Sequence, residues 1–399
     1  MAENKLADMS TEFAVKSLNM EYFDRFTSNT YAGSGNQLYF NMVEGEVRTG
    51  RVFYKIACGG RYNYSILFSN IIDSTFSNGA VSHKNLICDE WSIHSAKVGK
   101  CRHIDASKGL AEMTVADEVE GKDADIIVSD LTQITFDGKC AKRVMPGEFF
   151  CSDPIELAFE KDEYLCLELT FSGSMIPYHK ETLLPVFVKG DEGWHYFKQM
   201  PFAGMIGCDR PVKKRIAYLG DSITQGIGTP INSYLHWNAV FSEKLDNGYA
   251  FWNLGLGFGK ASDAASDGAW LYKAKQNDTV FVCFGVNDIL QGMPEEQIKK
   301  DLLYIVEALK KLGKTVILQT VPPFNYKEEN IEKWENINTY IKNELREKVD
   351  AVFDTVPHLG QAEHLQMARF GGHPNAQGCK VWADALFEEL KHFFDLRAK

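Results

Sequence analysis

Tyr218-Leu219-Gly220-Asp221-Ser222-Ile223-Thr224-Gln225-Gly226 is the stretch whose reading decides the fold. The apolar run Ile216–Leu219 ends abruptly in Gly-Asp-Ser, and a helical pattern resumes about a dozen residues later. This spacing predicts a buried parallel strand that delivers a serine to the carboxyl edge of a sheet, where open α/β sheets place their ligands. A serine hydroxyl is a weak nucleophile at its free pKa. Chemistry there needs a base beside it and donors facing a developing oxyanion. Gly-Asp-Ser alone is also ordinary turn composition, so the flanking chain must decide.

From Arg215 onward, strand and helix patterns alternate. The strand patterns are Arg215–Leu219, Ala250–Leu254, Thr279–Phe284, Thr315–Thr320 and Val352–Asp354. The helical ones are Tyr234–Leu245, Ala261–Ala274, Glu295–Leu312, Glu328–Lys348 and Ala376–Leu396. Ile298, Leu302, Ile305, Leu309 and Leu312 form an apolar stripe at helical spacing. Such alternation gives a parallel sheet with helices on both faces. The expectation is a flavodoxin-like α/β domain with a five-stranded parallel sheet.

The first half has a period of two. Arg51–Ile56, Tyr64–Phe68, Ile126–Val128 and Tyr164–Leu169 are short β-type runs. Gly59-Gly60, Asp137-Gly138 and Pro146-Gly147 punctuate them as turns. Many short strands without a long helical segment point to an antiparallel β-sandwich of jelly-roll type. The expected organisation is an N-terminal segment 1–29, a β-sandwich accessory domain 30–207, a linker 208–214 and the α/β domain 215–399. Two domains suit 399 residues, a length beyond the usual single core. The sandwich either binds substrate or walls one side of a cleft, and His179 is its one histidine considered for such an approach.

The formal net charge of -11 argues against nucleic acid or an anionic membrane as partner. No uninterrupted apolar run spans a bilayer, and the amino terminus lacks a signal-peptide pattern. Nine cysteines are scattered without CxxC spacing, which argues against a disulfide framework or a zinc site and for a reduced, cytoplasmic protein.

The chemistry-bearing residues fall at successive strand ends. After the second strand comes Asn253-Leu254-Gly255-Leu256-Gly257-Phe258-Gly259, whose glycines allow close backbone approach to a ligand. The third strand ends in Gly285-Val286-Asn287-Asp288, where a side-chain amide can donate to an oxyanion. After the fifth comes Gly371-Gly372-His373-Pro374-Asn375, a histidine before the last helix that can reach Ser222 as general base. Taken singly, Asn287-Asp288 is a helix-start signal, Asn375 an N-cap and His373 a surface loop residue. Together, in the order Ser, Gly, Asn, His, they outline one site. Asp221 reads as a brace for the loop.

These four blocks resemble those of the SGNH, or GDSL-type, hydrolase superfamily. The resemblance implies Ser222 as nucleophile, with its backbone N–H as one oxyanion donor. It implies Gly257 as the backbone donor of the second block, with Gly259 as competitor because the glycines are shifted from the usual spacing. Asn287 becomes the side-chain donor and His373 the base. Most of the superfamily carries an Asp three residues before the histidine, and here that position is Phe370. Either a backbone carbonyl orients His373 in a Ser–His dyad, or Glu363 or Asp354 replaces the Asp. Leu67-Phe68-Ser69-Asn70, Thr135-Phe136-Asp137-Gly138 and Ser152-Asp153-Pro154 are similar to the β-sandwich that precedes the hydrolase domain in some bacterial members.

The resemblance implies a serine esterase acting on a small-molecule ester, an acetylated oligosaccharide foremost, with no metal or organic cofactor. Lys260 and Trp270 are considered for substrate contact, although Trp270 fits the apolar stripe of its helix equally well. A lysophospholipase or thioesterase is the enzyme alternative, against which stands the lack of a long apolar lid segment. A catalytically inactive sugar-binding protein is the alternative suggested by Phe370. The oligomeric state is left open.

Overall fold

The computed structural model describes residues 21–77, 81–102, 104, 127–359, 367–369 and 372–394. The chain divides into two compact units, one made of Met1–Thr75 with His83–Pro211, the other of Phe76–Ser82 with Val212–Lys399.

The first unit is antiparallel. One of its sheets runs Phe149–Cys151, Gly60–Ser69, Met205–Cys208, Thr27–Gly33, with Ile155–Phe159 also paired to Gly60–Ser69. The other runs Gly193–Tyr196, Val186–Gly190, Arg48–Lys55, Tyr164–Gly173, Trp91–Cys101, Ser129–Gln133. Alternation decides which face is core. Leu165, Leu167, Leu169 and Phe171 are fully buried on one side, while Glu168 on the other holds Arg51 at 2.8 Å. Asn29 of the Thr27–Gly33 strand holds the turn between Arg48–Lys55 and Gly60–Ser69 through paired bonds of 3.0 Å to the Cys58 backbone. The expected run Ile126–Val128 is displaced: Ile126 lies outside the described residues, Ile127 is 83% exposed, and the strand there is Ser129–Gln133.

The second unit is built on β1 (Lys214–Gly220), followed by α1 (Ser222–Gln225), α2 (Trp237–Ser242), β2 (Tyr249–Gly255), α3 (Ala261–Ala264), α4 (Ala269–Lys275), β3 (Thr279–Cys283) and α5 (Val286–Leu290). Then come α6 (Glu295–Lys310), β4 (Thr315–Gln319), α7 (Glu328–Asn343), β5 (Ala351–Phe353), α8 (Val356–Leu359) and α9 (Ala376–Leu390). The five strands are all parallel in the order β2-β1-β3-β4-β5, the flavodoxin-like arrangement. Trp237 of α2 stacks on Trp382 of α9 at 5.1 Å, both fully buried, and Trp382 Nε1 donates to Gln319 Oε1 at 2.8 Å. None of the described helices is long and apolar enough to cross a membrane.

Four helices depart from their expected bounds, among them α9, expected to reach Leu396, which stops at Leu390 and gives way to a 3-10 turn, Lys391–Phe393. The helix expected from Tyr234 starts only at Trp237, because Asn232 and Tyr234 adopt φ of 61° and 54°, outside the right-handed region. Ala261–Ala274 is broken in two by Ala265, whose ψ of 59° leaves the helix, and α4 restarts at an N-cap glycine, Gly268. The long α7 stops at Asn343 and finishes in a 3-10 turn, Leu345–Lys348.

Candidate active site

The central strand places Ser222. Gly220 lies in register with Gly255 of β2 and Cys283 of β3, so the three strands end at one edge. A Cβ on Gly220 would sit 2.5 Å from the Cys283 carbonyl, so only glycine lets the chain leave the sheet here. Asp221 then caps α1, its carboxylate accepting the Ile223 N–H at 2.9 Å. Burial pushes the Asp221 carboxyl up to about 7, and the neighbouring Asp288 adds to the rise.

Ser222 is the first residue of α1, and its Oγ lies 2.8 Å from His373 Nε2. After α1 the chain turns through Gly226 and Gly228, at φ of 116° and 103°. The second of these abuts the histidine. A Cβ there would meet His373 Cβ at 2.9 Å and the Pro374 carbonyl at 2.5 Å. His373 itself sits in a short antiparallel pairing with Arg369. Immediately after it, Asn375 caps α9 by accepting the Gly378 N–H at 2.9 Å, the N-cap role read from sequence.

The second and third strand ends are stitched together by two adjacent residues of α5. Asn287 Nδ2 donates to the Gly259 carbonyl at 2.9 Å, and Asp288 Oδ2 accepts the Ala261 N–H at 3.1 Å. Asn287 reaches this position because Gly285 turns at φ 130°, where any Cβ would strike Val321 at 2.6 Å. The amide of Asn287 has a second N–H beyond the one given to Gly259. Asp288 is fully buried and its carboxyl is pushed up to about 7 by that burial, with Asp263 and Asp301 adding.

The loop of the second block holds a finding about the backbone donor. The Gly257 N–H donates to Gln225 Oε1 at 2.6 Å, and the Gly259 N–H to the Leu256 carbonyl at 3.0 Å. An N–H has one hydrogen to give. In this arrangement the Gly257 N–H is engaged by the Gln225 side chain. Between the two glycines, Phe258 is held at φ 62° and is 37% exposed.

The other residues singled out in the sequence have ordinary surroundings. Trp270 is 1% exposed, its Nε1 donating to the Leu254 carbonyl at 2.7 Å and its ring edge-on to Phe284, so it is a core residue. Lys260 approaches Asp263, whose carboxylate also accepts the Lys260 backbone N–H at 3.0 Å. Asp354 accepts from Thr320 Oγ1 and the Val356 N–H and faces Lys342 Nζ at 3.3 Å, so its oxygens serve the end of β5. Glu363 and Phe370 lie outside the described residues. In the first unit, His179 is 1% exposed with its ring edge-on to Phe202.

Sequence reasoning missed two contributors. Gln225 closes on the Gly257 N–H from the helix that carries Ser222. Phe324, in the loop after β4, sets its ring against the His373 imidazole, with centroids 5.2 Å apart and planes at 82°. A signal for the second was present: Pro322-Pro323-Phe324 follows the fourth strand, at the same sheet edge as the other motifs.

Residues 218–381 match the GDSL-like Lipase/Acylhydrolase family. Among solved structures the chain is similar to a lipolytic protein of the G-D-S-L family from Veillonella parvula, at 22% identity and TM-score 0.39, covering 44% of this chain and 98% of that one. It is similar also to an acetyl-xylooligosaccharide esterase from Geobacillus Stearmophilus, at 18% identity and TM-score 0.39, covering 47% and 99%. A third is the psychrotrophic esterase EstA from Pseudoalteromonas sp., at 18% identity and TM-score 0.37, covering 45% and 97%. A comparison with curated proteins gives no match.

Proposed function

We propose that the protein is a serine esterase that hydrolyses carboxylic esters, acetyl esters of carbohydrates foremost. The observation that carries this reading is the 2.8 Å contact between Ser222 Oγ and His373 Nε2 at the carboxyl edge of the parallel sheet. The pairing fits a nucleophile and its base, within the distance at which proton transfer between them is direct. In this reading His373 takes the Ser222 proton as the hydroxyl attacks the ester carbonyl. The tetrahedral oxyanion is met by the Ser222 N–H and the Asn287 amide, and by the Gly257 N–H once Gln225 releases it. His373 then returns the proton to the leaving alkoxide, and a water activated by the same ring clears the acyl-enzyme. The acetyl-sugar preference rests on the resemblance of the two-part chain to carbohydrate deacetylases and on its lack of a long apolar lid segment. The nine scattered cysteines, without CxxC spacing, support a cytoplasmic location.

The test is hydrolysis of 4-nitrophenyl esters of two, four, eight and twelve carbons by wild type and Ser222→Ala, beside labelling by an ethyl 4-nitrophenyl phosphonate. Turnover confined to the acetate, with labelling and turnover both lost in the variant, is expected. Best activity on the long acyl chains replaces the acetyl reading with a lysophospholipase or thioesterase one. Neither turnover nor labelling in wild type leaves a sugar-binding protein.

A further inference from the structure

We propose that Phe324 is the positioning residue for His373, holding the imidazole so that Nε2 faces Ser222 Oγ. This rests on the esterase reading above and adds to it a residue outside the four motif blocks.

Three observations carry it. The first is the ring contact itself: Phe324 and His373 meet nearly perpendicular, with centroids 5.2 Å apart, an arrangement favoured by the ring quadrupoles. The second is the fit behind the histidine. A Cβ on Gly372 would lie 3.2 Å from Phe324 Cγ and Cδ2 and 3.0 Å from the Asn325 nitrogen, so the residue before His373 is shaped around the Phe324 loop. Gly228 abuts His373 at its Cβ, where an added Cβ would lie 2.9 Å away. The imidazole is thus bounded at its root by one loop and along its ring by another.

The third observation is that the Phe324 loop is itself fixed. The Val321 N–H donates to Asn338 Oδ1 at 2.7 Å, and the Val321 carbonyl accepts from Asn338 Nδ2 at 3.0 Å and Trp334 Nε1 at 2.8 Å. Pro322 and Pro323 have restricted φ, and Tyr326 Oη donates back to the Pro322 carbonyl at 3.2 Å. A ring on so constrained a backbone has a defined place. A histidine side chain otherwise has several staggered wells open to it. Packing that removes the alternatives leaves the well in which Nε2 meets the serine.

The inference is tested with Phe324→Leu and Phe324→Tyr in the full chain. Three readouts are compared: kcat and KM on 4-nitrophenyl acetate, the rate of Ser222 labelling by ethyl 4-nitrophenyl phosphonate, and the melting temperature. The expected result for Phe324→Leu is a kcat about tenfold lower and labelling slowed by about the same factor, with KM changed by less than about threefold. Phe324→Tyr, which keeps the ring, restores both. Unchanged kcat in Phe324→Leu overturns the proposal, and so does a loss carried by KM, which would make the ring a substrate wall. If Phe324→Leu melts below the assay temperature, Phe324→Met takes its place under the same criteria. Absence of both labelling and turnover in wild type overturns the esterase reading itself, whereas normal labelling with an indifferent Phe324 overturns only this inference.

Discussion

His373 Nε2 lies 2.8 Å from Ser222 Oγ, although 151 residues separate them in the chain. The contact joins the start of α1 to the segment just before α9, and Gly228, soon after α1, abuts His373. Alanine at Gly228 would have to adopt a left-handed φ of 103° and push a Cβ into the Pro374 carbonyl. Gly228→Ala is expected to move the His373 loop, lowering kcat on 4-nitrophenyl acetate by roughly tenfold to a hundredfold. The same variant should melt several degrees lower, since backbone strain of this kind costs about 1–3 kcal/mol. Wild-type kcat in the variant would show that the loop accommodates the clash elsewhere.

Asn287 has an amide hydrogen beyond the one it gives to the Gly259 carbonyl. Asn287→Ala should lower kcat by about 10²–10³ with a much smaller change in KM, the signature of a donor used mainly in the transition state. It also strips the Gly259 carbonyl of its donor, so a stability loss of about 1 kcal/mol is expected in denaturant titration. A loss seen in KM alone would assign Asn287 to substrate binding.

Asp354 offers a contrast. Its carboxylate serves Thr320, Val356 and Lys342 at the end of β5. Asp354→Asn should cost stability, by roughly 1 kcal/mol, and leave kcat within about threefold of wild type. A fall of hundredfold or more at unchanged KM would mark it as the group that orients His373.

Two carboxyls give the fold a pH dependence of unusual sign. Burial raises both Asp221 and Asp288 to about 7, from an ordinary value near 4. Between about pH 4 and pH 7 the folded chain therefore holds protons that the unfolded chain has lost. Stability from these groups is present at the low end of that window and falls as pH rises through it, by at most about 1.4 kcal/mol per pH unit for each group. Half-buried carboxyls held low by partners, such as Asp384 beside Lys244 and Lys380, act in the opposite direction. The informative quantity is hence the difference between wild type and Asp288→Asn in melting temperature at pH 5 and pH 7.5. The variant should gain on wild type as pH rises. A difference independent of pH would show that Asp288 is ionised throughout.

Much of the parallel unit was legible because its signals are local. Each buried strand is a short apolar run, and β1 through β5 fall within a residue or two of their expected ends. Helix α6 was plain from its apolar stripe. What escaped was governed by single backbone angles or by very short elements. Positive φ at Asn232 and Tyr234 shortened α2, and the departure at Ala265 broke the helix before α4. Helices α1, α5 and α8 have only 4 or 5 residues each, too few for a 3.6-residue period to show.

The site divides along the same line. By itself the sequence determined which residue types stand at the ends of successive strands, because strand propensity, turn glycines and helix caps act over a few neighbouring residues. Ser222, Asn287 and His373 were therefore visible as a set. Only the tertiary structure decided what those residues touch: that the Gly257 N–H is turned to Gln225, that Trp270 belongs to the core, and that Phe324 lies on His373. Such contacts join residues tens of positions apart, and which of them forms depends on how the sheet and its loops pack.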